Sequence, residues 1–115
     1  MEVTVERMAG ATVVHIMGSV DGLTAETLQG ALRSQVEEGN VRLVGDLSGV
    51  DYTSSAGLRA LLATLKAARL QGGDLRLAAV QPNVHRVLDL SGFTSILKLY
   101  GDVDTAVASF GAASS

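Results

Sequence analysis

Val41-Arg42-Leu43-Val44-Gly45-Asp46-Leu47, then Ser48-Gly49-Val50-Asp51-Tyr52-Thr53-Ser54-Ser55, then Leu58, Leu61, Leu62 and Leu65 at i, i+3, i+4, i+7 decide the fold. The first run is apolar enough to be a buried central strand. The leucine spacing marks an amphipathic helix, with Arg59, Lys66 and Arg69 on its outer side and Gly72-Gly73 as its stop. Strand, loop and helix in that order are half of a crossover unit. The next strand, Asp74-Leu75-Arg76-Leu77-Ala78-Ala79-Val80, completes it.

Working outward, Val3, Val5 and Arg7 alternate with Glu2, Thr4 and Glu6, the period of a half-buried strand. Ala9-Gly10 is a turn signal, and Thr12 to Met17 form a second strand rich in β-branched residues. So short a turn predicts an antiparallel hairpin. Gly18-Ser19-Val20-Asp21-Gly22 breaks the chain, and Thr24 is placed to cap a helix with Leu28, Leu32 and Val36 along one stripe. Toward the C-terminus, Pro82 suits a first helical position, Val84, Val87 and Leu88 face inward, and Ser95 to Tyr100 read as a short strand. Asp102 caps a last helix through Phe110. The predicted order is β-β-α-β-α-β-α-β-α, a mixed four- to five-stranded sheet packed with helices, class α/β. Crossovers of this kind join parallel neighbours and are right-handed in nearly all cases. Residues 1–110 are expected to form one domain and 111–115, Gly-Ala-Ala-Ser-Ser, a flexible tail.

Composition narrows function. The chain has 115 residues, 47% of them hydrophobic and 18% charged, which excludes a disordered polypeptide. No cysteine is present, so disulfides and thiolate metal sites are excluded. Nine bases against twelve acids argue against a general nucleic-acid binder, so no nucleic-acid partner is expected. No apolar run approaches membrane-span length, and the alternating, acidic start is unlike a secretory signal. A cytoplasmic domain without membrane insertion is the expectation.

Enzyme signatures are weak. No Gly-x-Gly-x-x-Gly and no Walker A motif occurs, so no cofactor is expected. His15 and His85 have no companion at metal-ligand spacing, so no metal site is expected. Ser55-Ala56-Gly57 is the second half of a nucleophile elbow, but Thr53 stands in place of the first glycine. Asp46 could pose as a phosphoacceptor of a receiver domain, yet Met8-Ala9-Gly10 offers no acidic metal site beside it. No catalytic residue is assigned.

The informative segment is the hydroxyl-rich start of the leucine helix. Ser54 or Ser55 can cap it. Three consecutive hydroxyl residues and a glycine in the first turn exceed what a cap needs. Small residues there let another surface approach, and a phosphate at a helix start adds charge without unfolding the chain. These residues suggest a charge switch on a docking face.

Four motifs in order carry a resemblance. Ser54-Ser55-Ala56-Gly57-Leu58 is similar to an Asp-Ser-(Ser/Ala)-Gly-Leu signature, and Gly18-Ser19-Val20-Asp21 to a Gly-x-Leu-Asp turn. Val44 to Val50 is similar to the strand and loop between them, and Leu88-Asp89-Leu90-Ser91-Gly92-Phe93 to a helix-ending Leu-x-Leu-Ser/Thr-Gly-Leu/Phe. Together they resemble the STAS domain, named for sulfate transporters and anti-sigma factor antagonists. The resemblance implies a non-catalytic bacterial regulator. Its unmodified form would bind an anti-sigma factor that is also a serine kinase. Phosphorylation of Ser55 would end the interaction, and a serine phosphatase would restore it. The implied contact residues are Asp21, Gly22, Tyr52, Thr53, Ser54, Ser55, Gly57, Leu58 and Arg59; Tyr52 either packs under the loop or anchors a partner, and packing under the loop is the expectation. Ser54 departs from the usual Asp. The alternative implied by the family is a constitutive subunit of a stress-signalling complex or a lipid transport ATPase, without serine phosphorylation.

Overall fold

The computed structural model of the chain describes residues 1–111, so all but the first residue of the expected tail lies outside the described residues. Strands β1 (Glu2–Met8) and β2 (Ala11–Met17) form the hairpin. Helix α1 (Thr24–Glu37) leads to β3 (Arg42–Gly49), α2 (Ser55–Leu70) to β4 (Asp74–Ala78), and α3 (Pro82–Leu90) to β5 (Lys98–Tyr100). Helix α4 (Val103–Ala108) closes the chain. The sheet has five strands in the order β1-β2-β3-β4-β5, with β1 antiparallel to β2 and the other pairs parallel.

That order has a consequence for layering. Each crossover adds the next strand on the same side of the last, so crossovers of one hand put all three helices on one face. The main core shows it. Leu28, Leu32 and Val36 of α1, Leu58, Leu61 and Leu65 of α2, and Val84 and Leu88 of α3 pack on Val14, Ile16, Leu43, Leu47, Leu75 and Leu77. Fully burying such a side chain stabilises the fold by about 1.5–3 kcal/mol. The opposite face has only α4, whose Ala106 packs on Ala11, Val13, Val44 and Ala78. Beside that patch the outer face carries a polar group, Glu6, His15 and Asp46.

Two strands are shorter than their sequence suggests. β4 stops at Ala78 because Ala79 turns away with φ 54°, its amide donating to the Tyr100 carbonyl at 3.0 Å. β5 starts only at Lys98, because Phe93–Ser95 wind into a 3-10 turn after Gly92. The buried Asp74 carboxylate joins the end of α2 to the sheet: Arg69 Nε and Arg76 Nε each donate to it at 3.0 Å. Arg69, expected on an outer polar surface, therefore works as a strut.

Candidate functional site

The loops at the C-terminal ends of β2 and β3 are tied into one face. An isolated parallel bridge joins Val20 to Thr53. The Val20 amide donates to the Tyr52 carbonyl at 2.9 Å, and the Ser54 amide to the Val20 carbonyl at 2.7 Å. Ser19 Oγ adds a side-chain bond to Asp51 Oδ1 at 3.1 Å. In effect β2 and β3 resume pairing for one rung beyond the sheet, which sets the register of both loops.

The start of α1 is fixed by Asp21 rather than by the Thr24 side chain acting alone. Asp21 Oδ1 accepts from the Leu23 and Thr24 amides at 2.9 and 2.8 Å, while Thr24 Oγ1 accepts the Asp21 amide at 2.8 Å. The Thr24 amide, then its hydroxyl and the Leu23 amide, hold the Asp21 carboxyl below its ordinary value. Asp21 is thus a structural anion of the loop, fully exposed yet already engaged.

The start of α2 is capped by Ser54, whose Oγ accepts the Gly57 amide at 3.3 Å. That leaves Ser55, at the first helical position and exposed, with no side-chain hydrogen bond among the described residues. Gly57 answers the question its presence in the first turn raises. A Cβ there would lie 2.3 Å from Thr53 Oγ1 and 2.7 Å from Val20 Cγ1. The surface that approaches this glycine is the chain's own Val20–Thr53 rung.

Three expected contact residues are therefore reassigned. Thr53 and Leu58 are each 6% exposed, and Gly57 is buried under the rung, so all three lie mostly beneath the face rather than on it. They support the face from beneath because α2 and the bridge close over them. Tyr52 departs the other way: expected to pack under the loop, it is 53% exposed, and its link to the rung is the carbonyl that accepts the Val20 amide. Asp21, Gly22, Ser55 and Arg59 are exposed and Ser54 is half-buried. Leu23, 84% exposed, joins Tyr52 as apolar surface on the same end. The residues that sequence reasoning missed are Ser19 and Val20. Their role depends on a partner more than thirty positions away, and no local pattern announces it.

The face is convex. Clefts of about 610 and 350 Å³ lie elsewhere, one beside Arg69 and β5, the other beside Arg7 and Arg42, and neither includes a residue of these loops. His15 is not free to serve Ser55 as a base: both its ring nitrogens are engaged by Asp46 and Glu6. Among the described residues, no cluster of metal-ligating side chains occurs and no helix is long and apolar enough to cross a membrane.

The STAS domain family model matches residues 2–106. The chain belongs to the STAS domain family. BtrV of Bordetella bronchiseptica, classed by name among the anti-sigma factor antagonists, is 37% identical over 96% of this chain and 95% of its own length. A crystal structure of an anti-sigma factor antagonist from Mycobacterium paratuberculosis is 31% identical and superposes with a TM-score of 0.87, covering 95% of this STAS chain and 92% of that one. SpoIIAA in its unphosphorylated form, at 15% identity, shares the fold with a TM-score of 0.80 over 94% of this chain and 95% of its own; a phosphorylated form of SpoIIAA is also known.

Proposed function

We propose that this STAS domain is an anti-sigma factor antagonist whose docking face is switched by phosphorylation of Ser55. In the unmodified state it binds an anti-sigma factor with serine kinase activity, in the cytoplasm, and catalyses nothing itself. The single observation that carries this reading is the division of labour between neighbouring serines. The Ser54 hydroxyl is engaged as the helix cap, and the Ser55 hydroxyl stands exposed and uncommitted beside it. The relatives named as antagonists and the two forms of SpoIIAA support it.

Ser54 in place of the family's usual Asp fits this assignment. Serine and aspartate are both good caps, so the substitution keeps the helix start and removes one negative charge next to the acceptor. Phosphate on Ser55 adds roughly 1.5 to 2 negative charges at the positive end of α2, where an anion suits the helix and does not unfold it. Against a partner, the same charge must be desolvated in the interface. Such mismatches cost several kcal/mol, on the order of a hundredfold in affinity. The contacts come from Asp21, Gly22, Leu23, Tyr52, Ser55 and Arg59. A serine phosphatase resets the switch.

The test uses the anti-sigma kinase copurified with the chain from native cells. With ATP present, wild type gains one phosphate by intact mass, mapped to Ser55, and dissociates. Ser55→Ala remains bound and unmodified, and Ser55→Asp binds about a hundredfold more weakly. Phosphate on Ser55→Ala would move the acceptor elsewhere. A stable complex with a larger ATPase or scaffold, and no phosphate on the wild type, would favour a constitutive subunit.

A further inference from the structure

The half-covered outer face of the sheet holds a cluster that the Ser55 face does not use. His15 stands on β2 between two carboxylates. Its Nδ1 lies 2.6 Å from Asp46 Oδ2 on β3, and its Nε2 lies 2.9 Å from Glu6 Oε1 on β1. Ionised carboxylates only accept hydrogen bonds, and a neutral imidazole has one N–H. Only the imidazolium, with two, satisfies both neighbours. One ring therefore spans three strands, from the sheet edge to its centre.

We propose that His15 is a proton-operated clamp that ties the edge strand to β3, closed when both ring nitrogens carry protons and slackened when one is lost. The hydrogen bond to Asp46, then that to Glu6, raises its pKa above the ordinary 6.5. Burial pushes the Asp46 carboxyl up, but the Ser48 amide and His15 outweigh it and hold it below its ordinary value. The effect reaches the exit of β3: Asp46 Oδ1 accepts the Ser48 amide at 3.0 Å, and the Ser48 carbonyl accepts from Gln81 Nε2 at 2.7 Å.

The charged groups that face the ring are Glu6 from β1 and Asp46 from β3. Glu2 lies further along β1, opposite Met17. On β4, Arg76 is held by Asp74 and Ser109. Helix α4 packs over Ala11 and Val13 of β2; its cap Asp102 accepts the Thr105 amide, and its own acid, Asp104 in the first turn, is exposed and makes no described hydrogen bond to His15. No cation competes for the two carboxylates in the described hydrogen bonds.

The sign follows from the raised folded value. The His15 contribution is fully present below pH 6.5, and it is lost as pH rises through the folded pKa. Each unit of elevation corresponds to about a tenfold change in the opening equilibrium of the clamped strands.

The experiment is a pH titration of the full chain by NMR, reading the His15 ring carbons together with amide protection factors in β1 and at Ser48. It needs no partner protein and is independent of Ser55. The His15 midpoint is expected above 6.5. Glu6→Gln, at an exposed position, lowers it, and Asp46→Asn lowers it further. β1 protection falls across the wild-type midpoint, and that step is absent in His15→Phe. A midpoint at or below 6.5, one unmoved by Glu6→Gln, or β1 protection without a step there overturns the clamp.

Discussion

Helices α2 and α4 begin in the same way on paper and differently in chemistry. Both follow an extended cap residue whose side chain accepts the amide of the third helical residue. In α4 the acceptor is the Asp102 carboxylate, 2.7 Å from the Thr105 amide. In α2 it is the Ser54 hydroxyl, 3.3 Å from the Gly57 amide. Helix α1 sides with α4, its first amides gathered by Asp21. Two helix starts thus carry a permanent negative charge where the helix dipole favours one. The start of α2, beside Ser55, is left neutral. The proposed phosphate on Ser55 would be the first fixed charge at this helix start.

The largest test of this contrast concerns the third helical residue. Gly57→Ala forces a methyl group into Thr53 and Val20 and is expected to destabilise the domain by about 2 kcal/mol or more. Thr105→Ala, the matching change in α4, removes an exposed side chain and leaves the capped amide, so it stays within about 0.5 kcal/mol. Urea denaturation midpoints compare the two. Equal effects would mean that the Val20–Thr53 rung is not what demands glycine.

How far this was legible in the sequence follows from the same residues. The period of Leu58, Leu61 and Leu65 gave α2, and the cap at Ser54 is a local hydroxyl-before-helix pattern of the kind that sequence carries well. The order of strands followed from alternation of elements, and so did the parallel pairing. Gly57 was visible as an anomaly but not as an answer. Its neighbour Val20 is 37 positions earlier in the numbering and comes near only once β2 and β3 pair. Thr53 and Leu58 belong to a segment that reads as one surface, yet the bridge to Val20 buries the first and α2 turns the second inward. The same long-range dependence hid the Asp46–His15–Glu6 cluster, assembled from three strands whose local patterns contain nothing unusual.

The caps themselves give the next effect. Ser54→Ala is expected to cost about 1 kcal/mol in unfolding free energy, leaving the buried Leu58 and Leu61 to hold the helix. Asp102→Ala lowers the denaturation midpoint as well. A Ser54→Ala protein as stable as wild type would show that the rung alone fixes the start of α2, and the contrast between caps would lose its energetic meaning.

The smallest effect is the most discriminating, because it separates charge from hydrogen bonding. The Thr105 amide, then its hydroxyl, holds the Asp102 carboxyl below its ordinary 3.8. Its contribution is present above pH 3.8 and is lost as pH falls through the lowered folded value. Native-state hydrogen exchange should therefore show Thr105 losing protection in that acid range while Gly57, capped by a hydroxyl that does not titrate, keeps its own. Ser54→Asp should transfer the acid step to Gly57 without reducing stability at neutral pH, since a carboxylate caps as well as a hydroxyl and suits the dipole. An acid step at Gly57 already in wild type would mean that a neighbouring carboxylate, Asp51 or Asp21, supplies the charge that Ser54 lacks. The start of α2 would then be no more neutral than that of α4.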